Sequence, residues 1–395
     1  MDIRELLDLL LRWTHVIAGI MWIGNSMLYN WLDRNLYRPD DAPKNLVGKI
    51  WMVHSGGFYE VEKKYLEPSQ MPDVLHWFKW QSYTTWISGF LLLCIVYFFS
   101  GGAYLVDPSV SSIGVPQAIA LCVGTLFLGY GVYDLLWRSP LRQAPKAAAL
   151  VSFALLVGVV YGLTHVLAGR AAYLMVGALL GTLMSGNVFM HIMPSQRELV
   201  AATKAGREQD PAIGMRAKQR SIHNNYMTFP VIVIMLSNHF AFTYGNPNNW
   251  LILLVLILGG AGVRHFMNIR WTFKAWLPAL GATAAAAIAL LFVLTQRPPA
   301  PQTAAVDAHV SFAEAHAVIE KRCISCHSQS PTDSTFTVAP EDVKFDTPDE
   351  MQRLASKIQA RAVDTTAMPL GNKTGMTPAE RALLGQWIKE GAPTN

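Results

Sequence analysis

The chain has 395 residues, 52% of them hydrophobic and only 15% charged, against roughly 25% charged in an average soluble protein. This composition excludes an ordinary soluble enzyme and points to a membrane protein. The net charge of +5 is spread over the segments between apolar runs, which argues against nucleic-acid binding, and four cysteines are too few for a disulfide scaffold.

Eight apolar runs are long enough, or nearly so, to cross a bilayer as helices. They lie near Leu9–Leu32, Tyr83–Phe99, Val115–Trp137, Ala147–Leu167, Ala172–Met193, Tyr226–Tyr244, Trp250–Val263 and Ala275–Leu294, the seventh being the shortest. The first is too long for a signal peptide and leads into further spans. Residues 1–295 therefore predict an eight-span transmembrane bundle, followed by a Pro-rich spacer over 296–307 and a small domain over 308–395. The expected fold class is all-α.

The last segment carries the most specific signal. Cys323, Cys326 and His327 form a Cys-x-x-Cys-His run, the attachment sequence of a c-type haem. The thiols can form thioethers to the porphyrin, and the histidine can ligate the iron. A sixth ligand that raises the potential would be a methionine. Met368, followed by Pro369 in a loop-like stretch, is the candidate, with Met351 and Met376 as rivals. A final helix over Pro378–Gly391 places Leu383, Leu384, Trp387 and Ile388 on one face, and His309 and His316 read as solvated. This is the arrangement of a small cytochrome c domain.

Loop charge orients the bundle. If the loops alternate sides, one side holds nearly all the basic residues, from Arg34 and Lys49 through Arg138, Arg197 and Arg220 to Arg264 and Lys274. The opposite loops hold only Arg170. The positive-inside rule then puts both termini and the cytochrome domain in the periplasm of a bacterial inner-membrane protein. Haem c is attached on that same side.

Ionisable and polar residues at membrane depth are costly and so are functional candidates. His15, His165 and His239 fall in the outer half and are candidates for a b-type haem; hydrogen bonding to neighbouring helices is the alternative. At the inner side, His54, Glu60, His76 and His223 are candidate general bases. Asn25, Trp77, Trp80, Gln81 and Asn187 could hold a planar heteroaromatic substrate by stacking and by amide contacts to its edge, although Trp77 also suits an interfacial belt. A Gly24-Asn25 pair in the first run is echoed by Gly186-Asn187 in the fifth, and His76 and His223 precede the second and sixth runs. Four-plus-four parallel repeats would produce such an echo.

The run from Arg12, Trp13, Thr14 and His15 to Trp22, Gly24 and Asn25, followed by seven more spans and a Met-Pro cytochrome c domain, resembles the bacterial membrane-bound urate oxidase (urate hydroxylase) family over essentially the whole chain. The resemblance implies oxidation of urate to 5-hydroxyisourate, with electrons passed to haem c and on to a downstream cytochrome c or terminal oxidase. It carries over residue by residue only to Cys323, Cys326, His327 and Met368. A membrane-anchored electron-transfer subunit, or a dehydrogenase for another small substrate, would share the same tail.

Overall fold

A computed structural model describes residues 3–296, 309–336 and 338–394; the predicted Pro-rich spacer lies almost entirely outside them. Helix dominates. The first helix, α1 (Ile3–Asn35), is followed by a hairpin of β1 (Leu46–His54) and β2 (Gly57–Lys64). Next come α2 (Trp80–Leu92), which continues as a wider turn over Leu93–Phe98, then α3 (Val115–Arg138) and α4 (Pro145–Thr164). The helix α5 (Gly169–Asn187) runs on through Val188–Ile192 into α6 (Met193–Lys204). Beyond it lie α7 (Pro211–Leu236), α8 (Ala241–Tyr244), α9 (Asn249–Ile269) and α10 (Trp276–Thr295).

Seven helices among the described residues are long and apolar enough to cross a membrane. The sixth predicted run, Tyr226–Tyr244, is not among them. Its first part, 226–236, ends α7, which spans 26 residues and carries Arg216, Lys218, Arg220, His223, Asn224 and Asn225 ahead of that apolar part; the rest lies in the turn Ser237–His239 and in α8. The seventh run was expected to stop at Val263, where Arg264 and His265 read as the start of a loop. The helix instead continues to Ile269, so Arg264 is a helical residue.

The hairpin corrects the all-α expectation. β-branched and aromatic residues (Val47, Ile50, Trp51, Val53, Phe58, Tyr59, Val61) favour extended backbone. Ser55 and Gly56, with φ of 50° and 75°, make the two-residue turn whose twist matches a hairpin. The strands pair antiparallel from His54 opposite Gly57 outward, and Lys49 bridges to Glu60 at 2.8 Å.

The chain forms two compact units that do not follow sequence order. The first comprises Met1–Leu92, Leu180–Phe229 and Ala261–Leu280. In it α1 lies along α2, close enough that a Cβ on Gly89 would come within 2.8 Å of the His15 ring. The second comprises Leu93–Leu179, Pro230–Gly260 and Gly281–Asn395. Its apolar interior includes Tyr173, Val176, Ile234, Ile252 and Leu253, all fully buried. The Tyr173 hydroxyl, which would be expensive to bury alone, donates to the Asn249 carbonyl at 2.6 Å.

The C-terminal domain belongs to the second unit. It contains α11 (Phe312–Arg322), α12 (Pro348–Arg353), α13 (Ala355–Ile358) and α14 (Pro378–Lys389). These surround a core of Ile319, Phe345, Met351, Ile358, Met376, Leu384 and Trp387, with Leu383 and Ile388 packed against it as the helical spacing predicts. Its 365–371 loop rests on the segments around Val106 and Gly245 of the same unit. Thr366 donates its N–H to the Gly245 carbonyl at 3.3 Å, and Phe336 meets Tyr104 edge-on at 6.3 Å between ring centres. Gly371, at φ +55°, lies so close to the Val106 carbonyl that a Cβ would stand 2.6 Å from its oxygen.

Candidate functional site

In the C-terminal domain the chain leaves α11 at Cys323 and turns at once, with the His327 N–H donating to the Cys323 carbonyl at 2.9 Å. The turn gathers both thiols and the imidazole in five residues. His327 donates Nδ1–H to the Val343 carbonyl at 2.9 Å, which fixes the ring and leaves Nε2 as the nitrogen able to ligate a metal. Phe345 meets the ring edge-on at 5.6 Å. Burial pushes the Cys323 thiol up to about 12 and raises the Cys326 thiol as well.

The three methionines separate by burial. Met351 and Met376 are 1% and 3% exposed in the core. Met368 is half-buried at its edge, packed against the same core as Cys323. The Met368 backbone is held from both sides: its N–H donates to the Arg361 carbonyl at 2.9 Å, and its carbonyl accepts from Arg381 at 2.7 Å. Cys323, Cys326, His327 and Met368 thus form a donor set that fits a covalently held haem. Among the described residues no three His, Cys, Asp or Glu side chains cluster as a metal site.

In the first unit the Gly-Asn echo has a counterpart in hydrogen bonds. Asn25 on α1 donates Nδ2–H to Gln81 Oε1 on α2 at 2.8 Å. Asn187 at the end of α5 donates Nδ2–H to Asn224 Oδ1 on α7 at 2.9 Å, and Asn224 donates on to the Met184 carbonyl at 3.0 Å. Each asparagine reaches a carboxamide on the helix of the next expected span. Ser82 and Ser185 add a buried contact at 3.2 Å.

The other predicted residues are scattered. His54 is exposed at the hairpin turn, and Glu60 is engaged by Lys49 on the facing strand. His76 is exposed and Trp77 half-buried ahead of α2. Trp80, 65% exposed, meets Tyr83 edge-on. His223 is half-buried on α7 beside Asn224. Of the outer histidines, His15 donates Nδ1–H to the Thr85 carbonyl at 2.8 Å. In the second unit, His165 ends α4 with Nδ1–H on the Tyr161 carbonyl at 2.7 Å, and His239 is exposed in the turn after α7.

The sequence reading missed a polar array on the other side of α7. Arg264 on α9, 6% exposed, donates Nε–H to Asn225 Oδ1 at 2.9 Å. Asn268 Nδ2 donates to the same oxygen at 2.7 Å, and the Arg34 guanidinium at the end of α1 donates to the Asn268 carbonyl. Phe229 offers its ring face to Arg264 at 5.5 Å. Arg264 counted in sequence as a loop cation; only the continuation of α9 beside α7 reveals it as buried. The paired asparagines at 224 and 225, directly ahead of the apolar run that begins at Tyr226, were the available signal.

No curated protein and no solved structure matches the chain. A family model described as urate oxidase N-terminal matches residues 1–295, the whole segment that contains both asparagine pairs and the Arg264 array. The chain belongs to that urate oxidase family.

Proposed function

We propose that this protein is a membrane-bound oxidoreductase of the bacterial inner membrane. It oxidises urate to 5-hydroxyisourate and passes the electrons to covalently held haem c and on to a downstream cytochrome c or terminal oxidase. Both termini and the C-terminal domain face the periplasm. The observation that carries this reading is the joining, in one chain, of a urate oxidase family segment over 1–295 to the Cys323–His327 turn.

The net reaction adds water at C5 of the purine and releases two electrons and two protons. The Asn25–Gln81 and Asn187–Asn224 pairs supply carboxamide groups of the kind that read the alternating N–H and C=O edge of urate. Of the four candidate bases, His223 stands nearest in sequence to the polar face of α7 and is assigned the proton removed from the substrate. Cys323 and Cys326 would anchor the haem covalently, and His327 and Met368 would bind its iron. A c-type haem held there supplies a one-electron acceptor whose potential a methionine ligand raises.

Urate added anaerobically to the purified protein should bring up the absorption band of reduced haem c, without peroxide. A haem that stays oxidised while urate disappears and peroxide accumulates would overturn the proposal. A pyridine haemochrome spectrum showing c-type haem alone would assign His15, whose Nδ1–H meets the Thr85 carbonyl, to helix packing.

A further inference from the structure

Arg264 is a cation buried with no carboxylate in reach. Among the described residues it forms no ion pair, and beyond Nε–H to Asn225 it makes no other hydrogen bond. The charged side chains that act on it most, Arg270 and Arg34, are themselves positive. Topology alone does not account for this. A basic residue retained to mark the inner side of a helix extends its head group to the interface, whereas Arg264 is 6% exposed. One neutral oxygen and one aromatic face leave the charge uncompensated, and a charge left so at membrane depth marks a ligand site.

The surroundings specify the ligand. Asn225 Oδ1 already accepts from both Arg264 and Asn268, so the terminal guanidinium nitrogens are the donors left to a guest. A guanidinium fork matches two acceptors in one plane. Phe229, on the same helix as Asn225, already lies against the guanidinium and so holds the fork flat. A planar heterocycle with a delocalised negative charge meets both demands that remain: charge and paired acceptors in one plane.

We propose that Arg264, held by Asn225 and Asn268, is the anion-recognition site of the membrane segment, and that it binds the charged edge of the urate anion. This rests on the function proposed above. Arg264 acts as a binding residue, and Asn225 and Asn268 position it.

Protein reduced beforehand with dithionite cannot turn over, so labelled urate can be titrated onto it by equilibrium dialysis. Arg264→Gln should weaken binding about tenfold or more, with Arg264→Lys retaining part of it. Asn225→Asp keeps the side-chain volume but supplies an internal carboxylate to the guanidinium, and it should weaken binding to a similar degree. Haem content and reduction by dithionite should match the parent in every variant, which separates loss of the site from loss of the fold. If the parent binds urate and both Arg264→Gln and Asn225→Asp bind it within about twofold, the Arg264 site is wrong while the urate reading stands. Inorganic phosphate displacing urate as well as urate itself would also overturn it, since the fork would then take any anion. A parent that neither binds urate nor is reduced by it would instead bring down the urate reading, and this inference with it.

Discussion

Met368 is distinguished from its neighbours by where its bulk lies. Met351 and Met376 fill the C-terminal core, and truncating either to Ala should cost about 2–5 kcal/mol of stability while leaving the iron ligation unchanged. Met368→Ala should instead change stability little and abolish the near-infrared sulfur-to-iron band of the oxidised haem. Denaturation curves and that band, measured on all three variants, check the assignment; loss of the band in Met376→Ala would transfer the ligand role. The proposed donors Cys323, Cys326 and His327 were legible because a haem attachment sequence is written in nearly consecutive residues. Asn25 and Asn187 were readable because they repeat. Gln81 was named among the same candidates, whereas Asn224 and the whole Arg264 array were not readable in that way. A basic residue after an apolar run has the same one-dimensional signature whether it leaves the helix or continues buried within it, and only the packing of α9 on α7 distinguishes the two.

At the level of elements, α14 shows how closely a sequence can dictate its own ends. Thr377 and Glu380 form a reciprocal cap at its start, and Arg322 at the end of α11 grips the same carboxylate at 2.8 Å. Burial pushes the Glu380 carboxyl up, but Arg322 and the Thr377 N–H more than offset this and hold it below the usual carboxylate range. Because the folded value is the depressed one, the bridge stabilises fully at neutral pH and is lost as pH falls through that folded value, below about 4.3. Protection of the α14 amides against hydrogen exchange, corrected for the intrinsic pH dependence of amide exchange, should therefore fall on acidification, and Glu380→Gln should flatten that dependence; an unchanged profile in the variant would place the acid sensitivity elsewhere. The hairpin between α1 and α2 was the element least visible beforehand. Its alternation is broken by charged residues on both faces, and its aromatic content fitted a membrane-interface belt equally well.

At the scale of the whole molecule, the second unit joins the segment around Val106 to the C-terminal domain. The contact runs through Gly371 and the Val106 carbonyl, where no side chain fits. Gly371→Ala should lift this loop, so that exchange at 102–107 and 365–371 rises together, with α14 unaffected. A rise confined to 365–371 would mean that the two segments do not support each other. The polar face of α7 also bears on how such a chain is made. In a bilayer, a helix bearing Arg220, Asn224 and Asn225 partitions poorly by itself, and its partners Arg264 and Asn268 are synthesised some forty residues later. Under the proposed placement, α7 cannot enter lipid as an independent stop along the chain. It must then wait at the insertion machinery for α9 and enter as one of a pair, so biogenesis of this protein would be cooperative at the same residues proposed to recognise its substrate.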